Sequence, residues 1–252
     1  YRRNLERSEA DGDLWDLVTA YNNVAIIEFS RGNFQAAVPL LEKSVRIDEK
    51  LGSPENEALA QENLGEALEM LGHWKEAREH YQRCLSIEGF DENRPGRISV
   101  YIPLARLTAK GGDLARGLAY AQKAYDAAER LRDEDLLAEA ACALSVIERE
   151  RENFGEATRF LNEARNLFEN SGTVHGLARV HTMAADLALR QQKLKEAEQS
   201  VAVAAEMAAR LGDRFTAAQL AAVSGKVFFV TGRREEAELK FAEALQMFEE
   251  LG

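Results

Sequence analysis

Residues 61–85 read QENLGEALEMLGHWKEAREHYQRCL. Leu64 and Leu68 share one face of a helix, and Gly72-His73 interrupts it. Trp74, Ala77, Tyr81, Cys84 and Leu85 then resume the helical spacing on a second face. A glycine at the break supplies the left-handed backbone that ends a helix, so the stretch is a helix hairpin. Its Ala77 belongs to a series of small residues 40 apart: Ala37, Ala77, Gly117, Ala157, Ala197 and Ala237. A single globular core has no reason to repeat itself without one insertion. A stack of two-helix units does, because each must dock on its predecessor in the same way.

The junctions between units are as regular. Asp13, Ser53, Asn93, Asp133, Thr173 and Asp213 are 40 apart, all of them residue types that cap helix N-termini. Gly12, Gly52, Gly172 and Gly212 precede four of them, and Pro54 follows Ser53 where a missing N–H costs nothing. These signals divide the chain into 13–52, 53–92, 93–132, 133–172, 173–212 and 213–252, and predict twelve helices. Asn33, Asp113 and Asn153 are placed to cap the second helices. Residues 1–12 are in phase with a second helix, Tyr1 falling where Leu41 and Tyr81 fall. They read as the end of a truncated preceding repeat, so the chain is expected to be a segment of a longer polypeptide. Within each hairpin, Ala25, Gly65, Ala105, Ser145, Ala185 and Gly225 are expected at the closest helix approach. Phe34, Trp74, Leu114, Phe154 and Leu194 are expected to plug the gap to the next unit. Pro103 predicts a kink inside its helix, after the irregular stretch 89–96, and Pro39 a similar bend.

The formal charge of −11 over 252 residues argues against a phosphate-tracking nucleic-acid surface and against an anionic membrane face. No apolar run approaches the roughly 18 residues of a membrane helix. Cys84 and Cys142 form no disulfide framework, which points to a reducing cytoplasm. Gly-rich phosphate loops, His-Glu-x-x-His and Gly-x-Ser-x-Gly are missing, and His73, His80, His175 and His181 lack metal-ligand spacing. No catalytic residue, cofactor or metal is expected.

The pattern Gln61-x2-Leu64-Gly65-x2-Leu68-x3-Gly72-x-Trp74-x2-Ala77-x3-Tyr81-x2-Cys84 resembles the tetratricopeptide repeat signature, which all six units match in part. The usual repeat is about 34 residues, shorter than this one, and HEAT and armadillo repeats share the longer period. Small hairpin residues and the Gly-x-aromatic turn favour the tetratricopeptide. The chain is similar to the long-helix subclass of kinesin light chains, LGN-type polarity adaptors and sensor segments of large bacterial regulators. Tyr21-Asn22-Asn23-Val24-Ala25 and Glu62-Asn63-Leu64-Gly65 are the stretches most alike. The resemblance implies an all-α fold: a right-handed α-solenoid of six helix-turn-helix repeats plus a partial N-terminal helix, with first helices lining a concave groove.

On that groove the resemblance places columns stepping by 40. Ile26, Glu66, Arg106, Val146, Asp186 and Lys226 form one; Phe29, Glu69, Ala109, Arg149, Leu189 and Phe229 another. Ser30, Met70, Lys110, Glu150, Arg190 and Val230 make a third, and Asn22, Glu62, Ile102, Cys142, Thr182 and Ala222 a fourth. Charges alternate down them, Glu66 beside Arg106, Asp186 beside Lys226, and Lys110, Glu150 and Arg190 in series. Either they are inter-repeat ion pairs, worth about 0–1 kcal/mol each, or a polar floor for a charged guest. Glu62, Glu66 and Glu69 form an acidic stripe: a solvated face, or a dock for a basic segment. Asn23 and Asn63 match positions where similar adaptors hold a bound peptide's main chain, the amide offering donor and acceptor. The carboxylate clamp of chaperone-binding relatives needs Lys and Asn where Asn22 and Ile26 stand, and is rejected.

A non-enzymatic scaffold binding a partner protein's peptide or helix is therefore expected, with an effector-sensing or autoinhibitory segment of a bacterial regulator as the alternative. Apolar faces at Tyr1–Leu5 and on the last helix offer a route to a homodimer.

Overall fold

A computed structural model describes residues 6, 12–87 and 95–251. Among the described residues every regular element is a helix. They are α1 (Leu14–Ser30), α2 (Phe34–Leu51), α3 (Pro54–Met70), α4 (Trp74–Ser86), α5 (Pro95–Lys110) and α6 (Leu114–Leu131). Then come α7 (Glu134–Glu150), α8 (Phe154–Ser171), α9 (Val174–Arg190), α10 (Leu194–Leu211), α11 (Arg214–Val230) and α12 (Arg234–Leu251). No described helix is long and apolar enough to cross a membrane. The expectations for residues 1–5 and 7–11, for Asn93 and for most of the 89–96 connection lie outside the described residues.

Helix ends follow local chemistry, with corrections. Asp13, Asp133 and Asp213 accept backbone N–H groups at the starts of α1, α7 and α11, and Asp113 does so for α6. Ser53, Thr173, Asn33 and Asn153 make no side-chain cap bond. Asn33 instead donates from Nδ2 to Glu28 at 2.9 Å, tying the hairpin turn to α1. The charged carboxylate of Asp wins this contest because a charge-assisted bond is stronger than one to a neutral oxygen. Gly32, Gly72, Gly112 and Gly232 take positive φ in the hairpin turns. Glu152 and Gln192 adopt the same left-handed backbone in the two turns that lack glycine. Both prolines stay within continuous helix, Pro39 in α2 and Pro103 in α5.

Contacts divide the chain into two compact units, Tyr1–Leu107 with Leu251–Gly252, and Thr108–Glu250. In the first, α1 packs on α2, α2 on α3 and α3 on α4. In the second, α6 through α11 pack in sequence. There α9 also touches both α7 and α11, so these first helices lie side by side and share a face.

Hairpin contacts obey a size rule. Gly65 faces the Tyr81 ring, where an added Cβ would stand 2.9 Å from it, and Gly225 faces Phe241 at 2.6 Å. In the repeats with Ser145 and Ala185 at this register, the position of the ring is held by the smaller Leu161 and Val201. Glycine is therefore used where the opposing side chain is a ring, since a methyl there would overpack the hairpin. Trp74 corrects the expectation of a plug: it is 48% exposed, whereas Phe34 is buried.

Candidate functional site

In the first unit, α3 carries Glu62, Glu66 and Glu69 on adjacent turns. Ser99 on α5 donates to Glu62 at 2.5 Å. Glu69 accepts from the Tyr81 hydroxyl at 3.3 Å and from Arg106 at 3.0 Å. The expected Glu66–Arg106 pair is thus corrected to Glu69–Arg106; Tyr81 already orients the Glu69 carboxylate, and Glu66 stays exposed. Burial raises the Glu62 carboxyl despite the Ser99 bond. The exposed Glu66 carboxyl is raised too, by the protein that crowds one side of it and strips part of its water, then by the charges of Glu62 and Glu69, with Arg106 opposing. The stripe is therefore an excess of negative charge that one arginine only partly offsets.

On α1, Ile26 is 56% exposed. Phe29 is half-buried because its ring packs edge-on against Phe34 at 4.9 Å, so the hairpin holds much of it. Asn23 and Asn63 are half-buried. The Oδ1 of Asn22 is buried with no hydrogen-bond partner among the described residues. The fourth column turns inward more than expected: Ile102, Cys142 and Thr182 are buried. Ile102 and Cys142 are apolar and gain more from the core than from water, and Thr182 satisfies its hydroxyl on the Ala178 carbonyl at 2.9 Å.

The second unit brings more of the expected residues together. Arg149 on α7 makes a short ion pair with Asp186 on α9 and a 2.8 Å contact with Glu150. Lys226 on α11 donates to the other Asp186 oxygen at 3.1 Å, and Arg190 reaches Glu150 at 3.2 Å. These bonds form a rail across α7, α9 and α11. Burial alone would raise the Asp186 carboxyl; Arg149, Lys226 and Arg190 outweigh it and hold it below the usual carboxylate value. Lys110, at the end of α5, is exposed.

Beside the rail lies a recess of about 550 Å³. Leu189, Phe229, Val230 and Phe241 form its apolar wall, and Asp186, Arg190 and Lys226 its polar side. Phe229 and Val230 are 60% and 56% exposed, which is unusual for adjacent large apolar residues. Phe241 is the residue that sequence reasoning missed, because it comes from α12, a second helix. Gly225 was the available signal, since it stands in register with Gly65 and Phe241 with Tyr81.

The tetratricopeptide repeat family model matches residues 16–87. No curated protein matched the sequence. Among solved structures, BtubC from P. vanneervenii is 19% identical, covers 84% of this chain and 89% of its own, and has a TM-score of 0.67. A Rap protein solved in complex with Competence and Sporulation Factor is 12% identical, with 94% of this chain and 76% of that one covered and a TM-score of 0.72. A STAND protein with a tetratricopeptide repeat sensor, from Pyrococcus horikoshii, is 16% identical with a TM-score of 0.63; the match covers 94% of this chain and 37% of that one. At these identities the likeness is one of fold. Residues 16–87 match the tetratricopeptide repeat family, and the described helices share the fold of these structures, an α-solenoid of helix-turn-helix repeats.

Proposed function

We propose that this chain is a non-enzymatic interaction scaffold that captures a peptide segment of a partner protein on the α7–α9–α11 face of its second unit. An apolar anchor of the partner would sit against Leu189, Phe229, Val230 and Phe241, and its polar flanks would meet Arg190 and Lys226. The observation that carries this reading is the exposed Phe229–Val230 pair beside an internally compensated charge rail. Burying one such side chain is worth about 1.5–3 kcal/mol, and a few anchors of this kind dominate most interfaces. A rail already held by its own ion pairs needs little ordering on binding, so micromolar affinity, about −8 kcal/mol, is within reach. In the first unit, the Glu62–Glu66–Glu69 stripe would favour a basic segment, with Ile26 and the Asn23 and Asn63 amides as further contacts. The tetratricopeptide fold generally mediates protein–protein contacts, and the Rap protein solved with Competence and Sporulation Factor is consistent with ligand capture by it.

A second reading, a sensor segment of a larger bacterial regulator, draws support from the STAND protein, whose tetratricopeptide repeats are described as a sensor. Screening the 252-residue protein against displayed peptides and, by calorimetry, against metabolites separates the two. Peptides should bind, and Phe229→Glu and Lys226→Glu should each weaken them about tenfold or more, while Leu59→Glu on α3 leaves them unchanged. Peptides that ignore Phe229→Glu, or a protein that binds metabolites and no peptide, would remove the scaffold reading.

A further inference from the structure

The second unit contains another cavity, of about 750 Å³, between α10, α11 and α12. It shares no lining residue with the recess beside Phe229. Val201 and Ala205 on α10, with Ala217, Leu220, Ala221 and Phe228 on α11, form its apolar walls. Ser224 adds no free donor, because its hydroxyl bonds to the Leu220 carbonyl at 2.7 Å. The charges around it are paired: Arg233 with Glu236 and Glu198, and Lys240 with Glu243.

The chain itself contains a template for what fills such a space. Two repeats earlier, 80 residues back, Tyr125, Leu137, Leu144 and Phe160 occupy the positions of Ala205, Ala217, Ser224 and Lys240. In that earlier copy the Tyr125 and Phe160 rings meet edge to face, 5.7 Å apart. The Tyr125 hydroxyl donates a short hydrogen bond to Glu163. Glu163 has its counterpart in Glu243, which is retained and lines the cavity. The later copy therefore keeps the acceptor and removes the rings. Phe228, standing where the earlier copy has Glu148, replaces a carboxylate with an aromatic wall. Four large-to-small or apolar-to-polar exchanges in one place would each cost stability if nothing used the volume.

We propose that this cavity is a binding site for a small neutral aromatic alcohol of the phenol class. The ring of the guest takes the volume held two repeats earlier by Tyr125 and Phe160, beside the Phe228 ring that Arg233 covers at 4.0 Å. Its hydroxyl donates to Glu243, as the Tyr125 hydroxyl donates to Glu163. Compensated charges at Arg233 and Lys240 give no preference to a charged guest, which would have to displace an existing partner.

The test uses 4-ethylphenol and 4-ethyltoluene, titrated into the 252-residue protein while its alanine methyl resonances are followed. Saturable shifts at Ala205 and Ala217 are expected, with 4-ethylphenol about tenfold tighter because only it can donate to a carboxylate. Ala205→Tyr and Ala217→Leu, which each refill the space as in the earlier repeat, should abolish binding of both probes at unchanged helical circular dichroism. Glu243→Leu should bring the two probes level. The absence of any shift at millimolar probe overturns the proposal, as does equal affinity for the two probes in the unaltered protein. Undiminished binding by a folded Ala217→Leu protein does so too. A blocked Ala-Tyr-Ala tripeptide that binds more tightly than 4-ethylphenol would assign the cavity to a partner's tyrosine and overturn the free-ligand assignment.

Discussion

The two units build the same helix hairpins and treat a shielded carboxylate in opposite ways. In the first, Asp48 on α2 is fully buried, bonded to the Ser44 hydroxyl at 3.3 Å and near Glu57, with its Oδ1 lacking a partner among the described residues. Burial chiefly pushes it up to about 6, the Ser44 bond opposing and Glu57 adding to the effect. In the second, Asp186 is sheltered too, yet three cations hold it down. Both acids are shielded from water; the charges within reach of each decide whether it ionises easily. The first unit thus keeps an excess of negative charge, on Asp48 and along the Glu62, Glu66 and Glu69 stripe that Arg106 only partly offsets. The second spends its charges on one another and leaves an apolar wall free for a partner.

The largest effect that sharpens this contrast is at the hairpin contact. Gly65 and Gly225 are equivalent, but Tyr81 is 2% exposed and tied to Glu69, whereas Phe241 is 41% exposed and can swing away. Gly65→Ala should therefore destabilise the protein by about 2–3 kcal/mol, while Gly225→Ala should cost under ~1 kcal/mol. The latter should instead weaken peptide binding at the recess, because Phe241 moves. Thermal unfolding and peptide titration of both variants check this, and equal stability losses would erase the distinction.

Next in size are the cations. Arg149 has a side chain only 15% exposed and bonds a sheltered acid, against 45% for Arg106. Arg149→Leu should cost about 1–2 kcal/mol by leaving Asp186 underpaired, and Arg106→Leu under ~0.5 kcal/mol. Denaturant midpoints of the two variants give the comparison.

The smallest expected effect is the pH response of the acids. A folded value near 6 against an ordinary 3.8 means that folded Asp48 binds its proton more tightly than the unfolded chain does. Its contribution therefore favours folding below about pH 4 and turns unfavourable as pH rises through 6. Asp48→Ala should raise stability by about 1 kcal/mol at pH 7.5 and by less at pH 5. Asp186 has the opposite sign: its depressed value stabilises the fold above the ordinary carboxylate range, and that contribution is lost as pH falls through the folded value. Asp186→Asn should accordingly lose stability at pH 7.5 and leave no gain on mild acidification. Unfolding curves at the two pH values would break the comparison if both variants moved alike.

Much of the fold was legible because hairpin repetition is written in one-dimensional spacing. The Gly72 break, the Asp13, Asp133 and Asp213 caps and the helical periods all act within one turn of chain. The rail was half legible. Asp186–Lys226 follows from the step of 40, but Arg149–Asp186 and Arg106–Glu69 join different columns, and only the reach of a long guanidinium across neighbouring helices selects them. Phe241 was illegible as a wall of the recess because its column belongs to the second helices.

By itself, the order of residues determined the helices, their pairing and the 40-residue step, since these depend on backbone propensity and on contacts between near neighbours in the chain. Tertiary structure alone decided which acid meets which base, that Ala205, Ala217 and Ala221 border one cavity, and that Phe229, Val230 and Phe241 border another. Those outcomes depend on distances between side chains from three helices, and a chain position carries no information about such distances until the helices have packed.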